Sequence, residues 1–471
     1  MRYAPSVLIP AAVSVASVSV FTRVLDADAY GLYSVVASAV LILTVVASGW
    51  IEQSVLRYLP EYDAAWGPRE AGRRVIGATV ATCATVLLLA VAAAAVGRGR
   101  FGAYERLVIP AALLLTAEAS FIALGSVLQS RLRSKTLSAL RSVGAVLRFA
   151  MALGLLLWFH RDVRWMLIGA ALGRGLISLA TLIVVARENR AWTPPTLDRA
   201  MLSRFAAYGL PMLGWTLSSR VLGVSDRFIL DAYQGSAAVG IYSANYTLVT
   251  MGFGLLSGPL LTAAHPLIVA SWKSGGAQHA PRTIESFSRL YVLALMPVVA
   301  ALAVCSREVS AILLGEAFRS GHEIIPILVL GIFAWGFSMY GHKGLELSER
   351  TDILFVLAAI VAVLNVVLNF VFIPPYGYRA AAGTTLVCAL IYPVLVHWVS
   401  KRFVPWRVPW GTLLEATVAS ALAILAGVLV RRAVIGSPSV VVVAVTGITM
   451  LATYGGIVWR WELAYRRRKH K

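Results

Sequence analysis

Runs of about twenty apolar residues return along the whole chain, each long enough to cross the roughly 30 Å hydrocarbon core of a bilayer. Fourteen candidate spans can be placed, at 5–22, 32–52, 75–96, 107–129, 141–159, 165–186, 206–225, 238–262, 288–306, 324–345, 353–373, 380–399, 411–430 and 440–459. The fifth and seventh carry charge. Only 14% of the 471 residues are charged and mean hydropathy is +0.78, whereas soluble domains carry about 25% charged residues. There are too few polar groups to cover a water-facing surface. The expected fold is all-α, a polytopic membrane protein of about 14 transmembrane helices. A membrane β-barrel would show alternation over roughly 10-residue segments, and none is present.

The formal net charge of +20 would suggest nucleic acid in a soluble protein. Here the basic residues lie between apolar runs and follow the positive-inside rule, so no nucleic-acid partner is expected. Apart from Arg148, Arg174 and Arg220, the basic residues divide 27 to 12 between the two sides of the membrane. That asymmetry places both termini in the cytoplasm and favours an even number of spans. Pro5 to Thr22 lacks a small-residue cleavage site and is expected to be a retained span. The three cysteines, Cys83, Cys305 and Cys388, fall inside apolar runs and read as small core residues.

The stretch Phe21–Tyr62 (FTRVLDADAYGLYS…LRYLPEY) reads as a helix end, a tight loop and a long second helix. A weaker copy, FILDAYQGSAAVGIYS, follows about 205–209 residues later. It sets Asp231 against Asp26, and Gly240, Tyr242 and Ser243 against Gly31, Tyr33 and Ser34. The polar linker from Arg187 to Arg204 contains Pro194-Pro195, which stops a helix. Three parts are therefore expected: 1–190, a six-helix lobe; 205–402, a second six-helix lobe; and 403–471, two further helices with a basic tail. An even number of spans per lobe makes the copies a parallel repeat, with a site expected where they meet.

Charged side chains within spans are costly, about 2.5–3.5 kcal/mol for Arg at a helix centre, and usually face water or one another. The basic candidates for substrate binding are Arg23, Arg57, Arg220, Arg148 and Arg174. Arg220 lies among small residues in SSRVLGVSDR, where a neighbouring backbone or ligand can approach. Each candidate has a plainer alternative. Arg57 can snorkel to headgroups, Arg148 can pair with Glu118, and Arg23 can pair with Asp26. Glu118 and Asp226 are the candidates for ion coupling; Glu52 and Glu346 are further acidic partners. His265 and His342 read as polar or core histidines, and no spacing resembles a metal site. Asn365 and Asn369, four apart, suit interhelical hydrogen bonds. Intramembrane arginine in excess of carboxylate points to an anionic substrate, since guanidinium stays charged and binds phosphate bidentately. Gly209, Pro211, Gly252, Gly254, Gly258, Pro259, Pro266, Pro297 and Pro393 supply bends suited to a rocking body. No Gly-rich phosphate loop is present, so no nucleotide cofactor is expected.

FTRVLDADAYGLYS followed by a long span and LRYLPEY resembles the N-terminal signature of polysaccharide-biosynthesis membrane proteins. These are lipid-linked oligosaccharide flippases of the multidrug/oligosaccharidyl-lipid/polysaccharide exporter superfamily. SDRFILDAYQGSAAVGIYSANYTL resembles that family's seventh-to-eighth span junction. The resemblance implies two six-helix bundles forming a V-shaped cavity, alternating access, and an undecaprenyl-diphosphate-linked sugar as substrate. It assigns the head group to Arg23, Arg57 and Arg220, with Arg148 and Arg174 next. It implies a bacterial inner-membrane location and membrane lipids as partners, with other polysaccharide-assembly proteins as further candidates. Two alternatives stand beside this flippase reading: a multidrug or cation antiporter on the same fold, and a membrane polymerase or ligase. The short outer loops speak against an enzyme.

Overall fold

The computed structural model describes residues 4–97, 99–100, 102–159, 161–188 and 195–469. Among these residues the chain is helical throughout, with no strand. The elements are α1 (Ala4–Val24), α2 (Ala27–Thr44), a π-helical turn (Val45–Gly49), α3 (Trp50–Val96), a 3₁₀ turn (Gly102–Leu107), α4 (Val108–Ser130), α5 (Ser134–Trp158), α6 (Val163–Glu188) and α7 (Arg199–Gln234). Then follow α8 (Ser236–Val304), α9 (Ser306–Leu313), a 3₁₀ segment (Glu316–Ile324), α10 (Ile325–Leu347), α11 (Thr351–Ser400), α12 (Trp410–Ala433) and α13 (Ser439–Lys469).

Ten stretches of the described residues are long and apolar enough to cross a membrane. Two of them, Ala27–Val96 and Thr351–Ser400, each hold two helices joined at a glycine with non-helical backbone, Gly67 (φ 80°) and Gly377 (φ 61°). α8 divides likewise at Gly276 (φ 52°). Positive φ costs glycine nothing, so the chain turns there without a loop. α1 and α7 are the remaining helices near spanning length; α7 is 36 residues long but its apolar character is diluted by charge. The prolines marked as bends in the sequence lie within continuous helix in α7 and α8, while the sharp breaks fall at glycines outside that set.

The chain forms two compact units: Met1–Ser17 with Val24–Gly240, and Val18–Arg23 with Ile241–Lys471. α7 thus packs with the first unit.

In the first unit Ile51, Val55, Leu59, Val75, Phe121, Val127, Leu128 and Phe205 form a buried core across α3, α4 and α7. Small residues set the helix spacing, as they must where lipid gives no hydrophobic drive. Gly169 and Gly173, one turn apart on α6, rest on the backbone of Met151–Ala152 and Leu147–Arg148 of α5. Gly209 of α7 lies against the Trp50 carbonyl, and Ser54 donates to the Phe205 carbonyl at 2.8 Å. The two copies of the sequence repeat meet directly. A Cβ on Gly31 would stand 1.8 Å from the Ser236 carbonyl oxygen, and one on Gly240 would stand 2.0 Å from that of Ala27. The corner at Gly67 is fixed by Arg131, which pairs with Asp63 through two hydrogen bonds of 2.9 and 2.8 Å and donates to the Pro68 carbonyl at 3.0 Å.

In the second unit Trp406 is fully buried, donating to Ser288 at 3.0 Å with its ring against Gly341. Asn365 and Asn369 do form a buried network: Asn369 donates to Asn365 at 2.9 Å and accepts from Thr384, across the Gly377 corner, at 2.5 Å. α12 is tied to α9 by Arg431, which donates twice to one Glu308 oxygen at 2.9 and 2.7 Å. The Glu308 side chain is only 10% exposed. Replacing Arg431 by leucine is expected to lower stability by about 2–3 kcal/mol, below the 3–5 of a fully buried pair because Arg431 keeps some solvent contact. Thermal unfolding in detergent checks this, and Glu308→Gln in the same chain should restore most of the loss.

Candidate functional site

Several charges on the helices of the first unit gather on one side of α5. Arg141 and Arg148 are seven residues apart, two turns, so they share a face about 10 Å apart along the axis. The close α5–α6 contact at Gly173 brings the next residue, Arg174, beside Arg148. α4 supplies Glu118. One Glu118 oxygen accepts from Arg148 at 3.2 Å. The other accepts from Arg174 Nε at 2.7 Å and lies 2.5 Å from its Nη2. A single carboxylate therefore serves two guanidinium groups. Arg174 also lies over the Phe121 ring, Cζ 4.2 Å from the centroid, a favourable cation–π geometry. Ser178 donates to the Ala117 carbonyl at 2.8 Å and locks α6 against α4 one turn away. Tyr33 of α2 hydrogen-bonds to Arg148. The side chains of Glu118 and Arg174 are 13% and 17% exposed, and that of Arg148 is 38% exposed.

A second set lies two turns along α5. Glu52 of α3 is within electrostatic reach of Arg141 and of Arg220 of α7. Arg141 in turn feels Arg174. Arg141 and Arg220 are exposed. The two sets together hold four guanidinium groups and two carboxylates.

The remaining candidates lie elsewhere. Arg23 donates to the carbonyls of Ser19, at 2.6 Å, and Ile312, at 2.5 Å, and so neutralises the carbonyl end of α9. Asp26 accepts from Ala29 N at 2.8 Å as the N-cap of α2. Arg57 is exposed on α3. Asp226 is buried on α7 next to Arg227, whose guanidinium donates to Ser38 at 3.2 Å. His265 is exposed, and His342 is buried 2.7 Å from the Tyr392 hydroxyl. Among the described residues no group of three or more His, Cys, Asp or Glu could hold a metal.

Arg141 and Arg227, which the sequence reading does not single out, also lie on helices of the first unit. The seven-residue spacing of Arg141 and Arg148, beside the Gly169–Gly173 pair, was the available signal. A further cluster stands where α3 meets the start of α7. Tyr62 stacks on Trp66 (4.3 Å between centroids), Arg74 covers Trp66 at 4.1 Å, and Arg204 covers Tyr58 at 4.2 Å.

Residues 6–272, more than half of the chain, match the family model described as polysaccharide biosynthesis protein. The chain belongs to the polysaccharide biosynthesis protein family. A comparison with curated protein sequences finds no match. Solved structures show which fold this family member has. A lipid II flippase, MurJ, in an inward closed conformation aligns over 98% of this chain and 99% of its own, with TM-score 0.76 and 13% identity. An inward-facing multidrug resistance MATE family transporter of the MOP superfamily aligns over 85% and 98%, with TM-score 0.64 and 14% identity. An outward-facing one aligns over 85% and 94%, with TM-score 0.60 and 13% identity. The family member is thus a multi-pass membrane protein with the flippase and MATE transporter fold.

Proposed function

We propose that this protein is a flippase that moves undecaprenyl-diphosphate-linked oligosaccharide across the bacterial inner membrane by alternating access, with no covalent chemistry. The observation that carries the reading is the surplus of guanidinium over carboxylate around Arg141, Arg148, Arg174 and Arg220. Exposed arginines on helices of a membrane protein are costly in lipid and favourable beside water and an anion. Guanidinium meets the planar array of phosphate oxygens with two hydrogen bonds and does not lose its charge on desolvation. The family match and the fold shared with a lipid II flippase support the same substrate class.

In this reading the diphosphate passes the basic groups while the isoprenoid tail stays in lipid. Arg23 and Arg57 would meet the head group away from the central cluster, and Asp226 would take part in ion coupling. Residues 1–190 and 205–402 would act as the two lobes, with 403–471 as accessory helices and both termini in the cytoplasm.

The test is flipping of fluorescently labelled lipid-linked oligosaccharide in proteoliposomes. An Arg141→Ala, Arg220→Ala variant is expected to flip at least about tenfold more slowly, given about 1.5–3 kcal/mol for each hydrogen bond to a charged group. Unchanged flipping would remove the anion site. Glu118, a carboxylate among membrane helices, keeps one rival in view. If the protein is a cation antiporter, Glu118→Gln should abolish export of a cationic drug while Arg220→Ala leaves it intact.

A further inference from the structure

The two charge sets have the same charge count. Arg148 and Arg174 share Glu118 through ion pairs, and two turns along α5 Arg141 and Arg220 lie within electrostatic reach of Glu52. Each set counts two guanidinium groups and one carboxylate, with one positive charge left over. Both oxygens of Glu118 are engaged, so the empty protein already holds a carboxylate where an oxyanion of a phosphate would bind. The two arginines are not equally covered. Arg174 is held by Glu118 and Phe121, whereas Arg148 keeps 38% of its side chain open. An incoming anion can therefore engage Arg148 first. The Arg141 and Arg148 backbones lie about 10 Å apart along α5, and Arg141 and Arg174 feel each other across the interval.

We propose that Glu118 and Glu52 are resident counter-anions that the substrate's phosphate groups displace in turn, making the arginines a two-step ladder instead of a single trap. This rests on the anionic head group proposed above. Each carboxylate occupies its arginines when substrate is absent and reclaims them as it leaves. Binding becomes weaker than four arginines alone would give, and release becomes faster. The carboxylates therefore set turnover by opposing affinity.

The ladder makes affinity and turnover move in opposite directions. Glu118→Gln keeps the shape and hydrogen-bonding oxygen but removes the charge. Titration of inorganic pyrophosphate into protein in phosphatidylcholine nanodiscs should show binding at least about tenfold tighter than wild type, because a like charge has gone from within a few ångströms of the bound anion. Flipping in proteoliposomes should slow by a similar factor. Glu52→Gln should behave the same way and serves if the first variant does not fold. Weaker pyrophosphate binding in the Gln variants would mean that the carboxylates only orient the arginines, and would overturn the proposal. Tighter binding with undiminished flipping would overturn the release role. Pyrophosphate binding to neither wild type nor variant would instead remove the anion site itself, and the proposed function with it. The titration is repeated with phosphatidylglycerol in the nanodisc. A shift that persists supports the diphosphate as the displacing ligand. One that disappears assigns the exchange to lipid headgroups and overturns that assignment.

Discussion

An Arg148→Met, Arg174→Met variant is expected to lose about 3–5 kcal/mol of stability and to fall at least about 100-fold in head-group transport. The stability loss follows from Glu118, whose side chain is 13% exposed and whose ion-pair partners are these two arginines. Breaking a buried ion pair from one side leaves a charge without compensation, which costs more than the pair ever contributed. The transport loss follows from the two groups proposed to hold phosphate, at about 1.5–3 kcal/mol for each hydrogen bond to a charged group. The effects separate when the carboxylate is removed too. Adding Glu118→Leu should restore most of the thermal stability, since well-packed apolar residues replace buried ion networks at little cost, while leaving transport at the variant's level. Recovery of transport together with stability would show that the cluster only holds α4, α5 and α6 together.

Gly240→Val is expected to destabilise the first unit by about 3 kcal/mol or more, at the upper end of overpacking effects. A Cβ at Gly240 would stand 2.0 Å from the Ala27 carbonyl oxygen and 3.2 Å from the Gly31 nitrogen. Both neighbours are backbone atoms, so no rotamer change makes room. Gly31→Val should be equally damaging, because its Cβ would stand 1.8 Å from the Ser236 carbonyl oxygen. Gly252 offers the contrast. Nothing lies within 4 Å of its built Cβ, so Gly252→Ala should be neutral or stabilising by up to about 1 kcal/mol. The yield of monodisperse protein and the thermal midpoint in detergent distinguish the three variants.

Much of the fold is legible in the sequence because hydrophobicity decides it. Apolar length marks the helices, and glycines in the two copied stretches mark the positions that later prove to touch. The corners at Gly67, Gly276 and Gly377 are not legible, since a single glycine between two helices looks like any other membrane glycine. Of the site, the pairing of Arg148 with Glu118 can be anticipated from their places on adjacent helices. The sharing of that carboxylate with Arg174 cannot, because it depends on how closely Gly173 lets α6 approach α5. Arg141 escapes notice because a charge near a span end satisfies the topology rule by itself. Arg23 is conspicuous in sequence yet turns to the carbonyl end of α9, a partner 289 residues away in the chain.

α2, the π-helical turn and α3 run without interruption from Ala27 to the corner at Gly67. Such a rod is about 60 Å long at 1.5 Å per residue, twice the depth of the hydrocarbon layer. It carries Tyr33 hydrogen-bonded to Arg148, Glu52 within electrostatic reach of Arg141 and Arg220, and the stacked Tyr62–Trp66 pair at its far end. It is a lever. A tilt of about 10° would swing a tip at that distance by roughly 10 Å, so a small adjustment near the arginines would arrive enlarged at the aromatic end.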